Sequence, residues 1–153
     1  MKSFSWRPTL IGALALGPLA ALASSHALGA DNLTDAETAA HAAVLDLAGA
    51  FTNDGFKLRD GDYAGTLRTG QSAVIEVNLY AGNEYWFSVA TANPKTPVAI
   101  SIYDESGKLL KTNPYADPSR AAAGFSPDTS GPYYVRVADP GSAATYCLIY
   151  SYK

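Results

Sequence analysis

The chain has 153 residues, 48% hydrophobic and 16% charged, which is one domain's worth and too apolar for wholesale disorder. A formal net charge of −3 lacks the excess of cations that neutralising phosphates requires, so no nucleic-acid partner is expected. One cysteine, Cys147, excludes an intrachain disulfide framework and a multi-cysteine zinc site, and two histidines leave little for acid–base chemistry.

Residues 1–30 read as a secretory signal peptide. Lys2 and Arg7 supply a positive start, no charge follows from Pro8 to Ala30, and residues 10–23 form an apolar core. Ala21-Leu22-Ala23 and Ser25-His26-Ala27 both satisfy the small-x-small cleavage rule, and a cut after Ala30 is a third site. The rival is a retained membrane helix. That apolar run would reach only about 21 Å at ~1.5 Å per residue, against a hydrocarbon core of about 30 Å. Gly17-Pro18 also interrupts it. Export to the periplasm or outside the cell is therefore expected, with no membrane span once the signal is removed.

The segment 31–55 predicts one helix. Thr34-Asp35-Ala36-Glu37 is a capping box, two acidic residues favour the helix N-terminus, and Asn53-Asp54-Gly55 supplies the stop. The helix is expected over Asp35–Thr52. Ala40, Val44, Leu47, Ala48 and Phe51 make one apolar stripe at spacings of three and four. Packing on the same domain is the expected use of that stripe, with a partner-binding helix as the alternative.

Beyond Gly55 the period changes to two. Five sets alternate with the residues between them: Ala73, Ile75, Val77, Leu79; Tyr85, Phe87, Val89; Val98, Ile100, Ile102; Tyr133, Val135, Val137; and Tyr146, Leu148, Tyr150, Tyr152. Weaker strand signals lie at 63–67, 108–112 and 121–126. Turn residues separate the runs at Ala81-Gly82-Asn83, Asp104-Glu105-Ser106-Gly107, Ser130-Gly131-Pro132 and Asp139-Pro140-Gly141. The expectation is an all-β fold over 56–153, an antiparallel two-sheet sandwich of about seven or eight strands behind one N-terminal helix. Cys147 is expected as a buried strand thiol, intermolecular pairing being the alternative.

Signatures of chemistry are sparse. His41 sits in an alanine-rich helix, far in sequence from every candidate nucleophile, and no Gly-x-Ser-x-Gly, Walker loop or His-Glu-x-x-His occurs. Asp60 and Asp62 flank Gly61 in a loop, and Asp104 opens a hairpin turn. Acidic turn residues usually hydrogen-bond their own backbone, while calcium is the functional reading of Asp60, Asp62 and Asp104. Asn32-Leu33-Thr34 is a formal glycosylation sequon. The aromatics are the remaining lead. Trp86, Tyr103 and Tyr134 fall opposite the apolar phase of their strands. Were they adjacent and open, they would form a platform for sugar rings or a protein patch; the competing expectation is that the helix covers them.

Residues 56–153 resemble the bacterial pre-peptidase C-terminal domain family. The matching pieces are Tyr63-Ala-Gly-Thr-Leu67, Ala81-Gly-Asn-Glu-Tyr-Trp-Phe87, Pro97-Val-Ala-Ile-Ser-Ile-Tyr-Asp-Glu-Ser-Gly-Lys-Leu-Leu110, Phe125, Thr129-Ser-Gly-Pro-Tyr-Tyr-Val-Arg-Val137 and the strand from Tyr146. The resemblance implies a jelly-roll-like sandwich appended to exported enzymes, non-catalytic, with relatives that bind matrix polymers or calcium. It carries over the architecture and no binding residue. No peptidase domain accompanies these residues here, and a helix precedes them. The expected function is thus a secreted or periplasmic non-catalytic module for a protein or polysaccharide, with no cofactor beyond an optional calcium ion. A structural, self-associating envelope protein is the alternative, and a small hydrolase comes third.

Overall fold

The computed structural model describes residues 34–138 and 141–153. The export signal expected at 1–30 and Asn32 of the sequon lie outside the described residues. The helix α1 runs Asp35–Thr52, as its end signals predict. Thr34 Oγ1 accepts from the Glu37 amide at 3.2 Å, and Glu37 Oε2 accepts from the Thr34 amide at 2.8 Å. The Thr34 amide, and then the Thr34 hydroxyl donating to the same Glu37 oxygen at 2.9 Å, hold the Glu37 carboxyl below its usual range. At the far end Gly55 takes φ +86°, a conformation that a side chain would strain.

Among the described residues nine strands follow: β1 Lys57–Leu58, β2 Tyr63–Leu67, β3 Ser72–Leu79, β4 Tyr85–Thr91, β5 Ala99–Tyr103, β6 Asn113–Asp117, β7 Arg120–Phe125, β8 Gly131–Ala138 and β9 Ala144–Tyr152. They form two antiparallel sheets. The larger has the order β1-β9-β4-β7-β6, with β2 also paired to β9; the smaller is β3-β8-β5. Two expectations need correction. The weak signal at 108–112 is no strand, only a bridge between Leu109 and Tyr103. The strand β6 was not expected, because Asn113-Pro114-Tyr115-Ala116-Asp117 has no apolar alternation and pairs only as an edge on β7.

The sheets stack through the alternating sets read from the sequence. Phe87, Val89, Leu148 and Tyr150 from the larger sheet meet Leu79, Ile102, Val135 and Val137 from the smaller. Burying this apolar surface is the main driving force for folding. On the larger sheet's outer side, Ala40, Val44 and Ala48 of α1 pack on Ala90, Cys147 and Ile149. The central strands β4 and β9 are therefore covered on both faces, and nearly every residue in them is buried. In β8, by contrast, buried Tyr133, Val135 and Val137 alternate with half-buried neighbours. That alternation marks a sheet with one face on the core and the other toward water.

Candidate binding face on the three-stranded sheet

The open face is built by strand phase. With Val77, Val135 and Ile102 turned inward, Val74 and Glu76 of β3, Tyr134 and Arg136 of β8, and Ser101 and Tyr103 of β5 turn outward. The register sets them in rows. Glu76 lies opposite Tyr134, which lies opposite Tyr103; Val74 lies opposite Arg136, which lies opposite Ser101. The bridge at Leu109 lengthens the first row by one residue. A cleft of about 340 Å³ opens here, lined by Val74, Tyr103, Asp104, Glu105, Tyr134 and Arg136. Val74 is 60% exposed and Leu109 59%, so the aromatic pair has apolar shoulders that water reaches.

The turn after β5 is fixed by its own carboxylate. Asp104 Oδ1 accepts from the Ser106 amide at 2.9 Å, the Ser106 hydroxyl at 2.6 Å and the Lys108 amide at 3.0 Å. The Ser106 hydroxyl bond and the Lys108 amide bond hold Asp104 below the usual carboxylate range. Gly107 completes the turn at φ +79°. Asp104 is thus occupied by the turn, while exposed Glu105 stands at the cleft wall as an acceptor. Arg136 is half-buried, and no hydrogen bond or ion pair reaches its guanidinium among the described residues. The face therefore offers two aromatic rings, a five-donor fork and acceptors within one cleft.

Trp86 does not join the two tyrosines. It belongs to β4, and its outward side is the helix-covered face of the larger sheet. Its ring stacks on Phe51 of α1, with centroids 4.2 Å apart and planes 10° from parallel. Gly124 on β7 lies beneath it; a Cβ there would stand 2.9 Å from Trp86 Cζ2. The expected three-residue platform is therefore split between opposite faces of the sandwich. All three rings are half-buried, but Phe51 of the helix stacks on Trp86, whereas Tyr103 and Tyr134 line the cleft of the smaller sheet.

The acidic trio is split in the same way. Asp62 stands on the larger sheet's side, where it accepts from Cys147 Sγ at 3.4 Å, and Asp104 closes a turn of the smaller sheet. Asp60 is exposed in the β1–β2 loop. Among the described residues no group of three or more His, Cys, Asp or Glu gathers, and Asp104 stands apart from the loop of Asp60 and Asp62. Cys147 is buried beneath α1. Burial and then the Asp62 carboxylate push its thiol up to about 12. His41 lies on α1, on the side of the molecule away from the open face.

Sequence reasoning missed Arg136, Val74, Glu76 and Leu109, and placed Glu105 only as a turn residue beside Asp104. Arg136 was within reach, because it shares the phase of Tyr134 two residues earlier. Glu105 and Leu109 follow Tyr103 through the local turn after β5, while Val74 and Glu76 become neighbours only through the β3–β8 register, a long-range fact. No protein-family model matches the chain, and no curated protein matches it either. No helix among the described residues is long and apolar enough to cross a membrane.

Proposed function

We propose that this protein is an exported, non-catalytic β-sandwich module that binds a neutral polysaccharide through the open face of its three-stranded sheet. The observation that carries the reading is the pairing of Tyr103 and Tyr134 in one open cleft beside Arg136, whose guanidinium has no partner among the described residues. A pyranose ring has an apolar C–H face and a rim of hydroxyls. Tyrosine rings suit the first, because they present a large apolar body at small entropic cost. Arg136 as donor and Glu76 and Glu105 as acceptors suit the second. The charge balance argues for a neutral chain. The cations Arg136 and Lys108 are outnumbered by the carboxylates of Glu76, Asp104 and Glu105, a balance that does not attract a densely anionic polymer. Export is supported by the charge, length and cleavage signals of residues 1–30. The resemblance of 56–153 to the pre-peptidase C-terminal family agrees with a non-catalytic role.

The test is affinity electrophoresis against cello-, malto- and chito-oligosaccharide matrices. Retardation by at least one is expected, with Tyr103→Ala, Tyr134→Ala and Arg136→Ala each weakening it about tenfold, the scale of one lost stacking or charge-assisted contact. Retention that survives all three substitutions overturns this site. Retardation by none of the matrices overturns the polysaccharide ligand and leaves a protein partner as the reading to pursue.

A further inference from the structure

The four sheet edges are not equally protected. The strand β6 carries Pro114, which has no amide to offer, and spans only five residues. The free side of β5 is occupied by the turn after it: Leu109 bridges Tyr103, and the Leu110 amide donates to the Ile102 carbonyl at 2.9 Å. On the remaining side of the larger sheet, β1 and β2 are two and five residues long. The strand β3 differs from all of these. It runs eight residues, contains neither proline nor lysine, and pairs with β8 alone among the described residues. Its inward residues Ala73 and Ile75 are only partly buried, and outward Val74 is 60% exposed. Both sides of this edge thus show apolar atoms to water, beside a row of unpaired backbone groups.

We propose that β3 pairs antiparallel with β3 of a second copy of this chain, about a two-fold axis at Ile75. The strand is self-complementary in that register. Residues directly opposite must share a face, so the axis must pass through a residue position of the strand. Centred on Ile75, the pairing sets Ile75 against Ile75 of the second copy and Ala73 against Val77 on the core side. On the open side Val74 meets Glu76 and Ser72 meets Asn78, which uses residues 72–78 of the strand. Centring on Glu76 would oppose two like charges, and centring on Val74 would shorten the overlap to 72–76. An isologous contact of this kind closes at two copies, because it consumes the edge it uses. The result is one six-stranded sheet running through both molecules. If the polysaccharide reading above holds, both Tyr103–Tyr134 clefts would lie on that one surface and a single polymer could engage them together.

Sedimentation velocity without any saccharide tests this separately from ligand binding. A reversible dimer is expected at concentrations up to about 1 mM, the range in which a contact this small must be sought. Val74→Glu places a carboxylate opposite Glu76 and is expected to weaken the dimer about tenfold, whereas Val74→Lys places an ammonium there and keeps or tightens it. Position 74 is exposed but lies opposite Arg136 in the same chain, so Val74→Glu should keep or raise the thermal midpoint and Val74→Lys lower it slightly, and a dimer difference that merely follows these midpoints overturns the proposal. A mixture of Val74→Cys and Glu76→Cys chains supplies a second readout. It should form mixed disulfide dimers faster than Val74→Cys alone, and buried Cys147 does not compete. A monomer throughout the concentration range overturns the proposal. So does a dimer that both charge variants weaken equally or leave unchanged.

Discussion

Two residues show how close packing and burial fix chemistry. Gly124 leaves room for the Trp86 indole, and a methyl group there would have to displace ring atoms that Phe51 holds from the other side. Gly124→Ala is therefore expected to destabilise the fold by about 1–3 kcal/mol and to shift the tryptophan emission, measured by urea titration followed by fluorescence. An unchanged midpoint would mean that the ring moves freely. Cys147 is the second case. Its thiol is buried under α1 beside Asp62, and its pKa is pushed up to about 12. Iodoacetamide at pH 8 is expected to leave it unmodified in the native protein and to label it in denaturant. The folded state holds this proton more tightly than the unfolded chain, whose thiol titrates near 8.5. Stability from this source is intact below that pH and declines as pH rises toward 12. Burial shifts the Tyr146 and Tyr150 hydroxyls in the same direction. Unfolding by alkali should therefore accompany exposure of the thiol.

Among the elements, α1 decides which face of the sandwich is free. Its attachment is chiefly apolar. Val44 is fully buried between the helix and the larger sheet. The ion pair from Arg120 to Asp46 spans 3.0 Å, but its Asp46 side chain is 79% exposed and water screens it. Val44→Ala is expected to cost about 2 kcal/mol and Asp46→Ala less than about 0.5 kcal/mol in thermal unfolding. Equal losses would mean that the ion pair anchors the helix. The limits of α1 were legible because both ends carry local signals, Thr34 with Glu37 and the stop at Gly55. The major strands were legible through alternation, which needs only neighbours in sequence. The short β6 was not, since nothing local marks Asn113–Asp117 as strand and only its pairing with β7 makes it one. Leu109 and Leu110 read as strand, yet the Asp104 turn leaves room for a single bridge.

At the scale of the whole molecule, sheet membership assigns the site, and sheet membership is what a sequence pattern does not encode. Trp86, Tyr103 and Tyr134 share the outward phase, but β4 lies in the helix-covered sheet while β5 and β8 lie in the open one. Asp62 and Asp104 were parted for the same reason. Once the register is known, the tyrosine pair gains Arg136, Glu76 and Val74, and a general aromatic signal becomes a specific cleft. That cleft is the proposed binding surface. The most direct measurement is a two-dimensional amide NMR titration of the protein with the oligosaccharide it binds best. Shifts are expected to concentrate at Val74, Glu76, Tyr103, Glu105, Tyr134 and Arg136, with Asp35–Thr52 and Trp86 unmoved. Shifts confined to α1 and the Trp86 surface, or none at the Tyr103–Tyr134 pair, would contradict it.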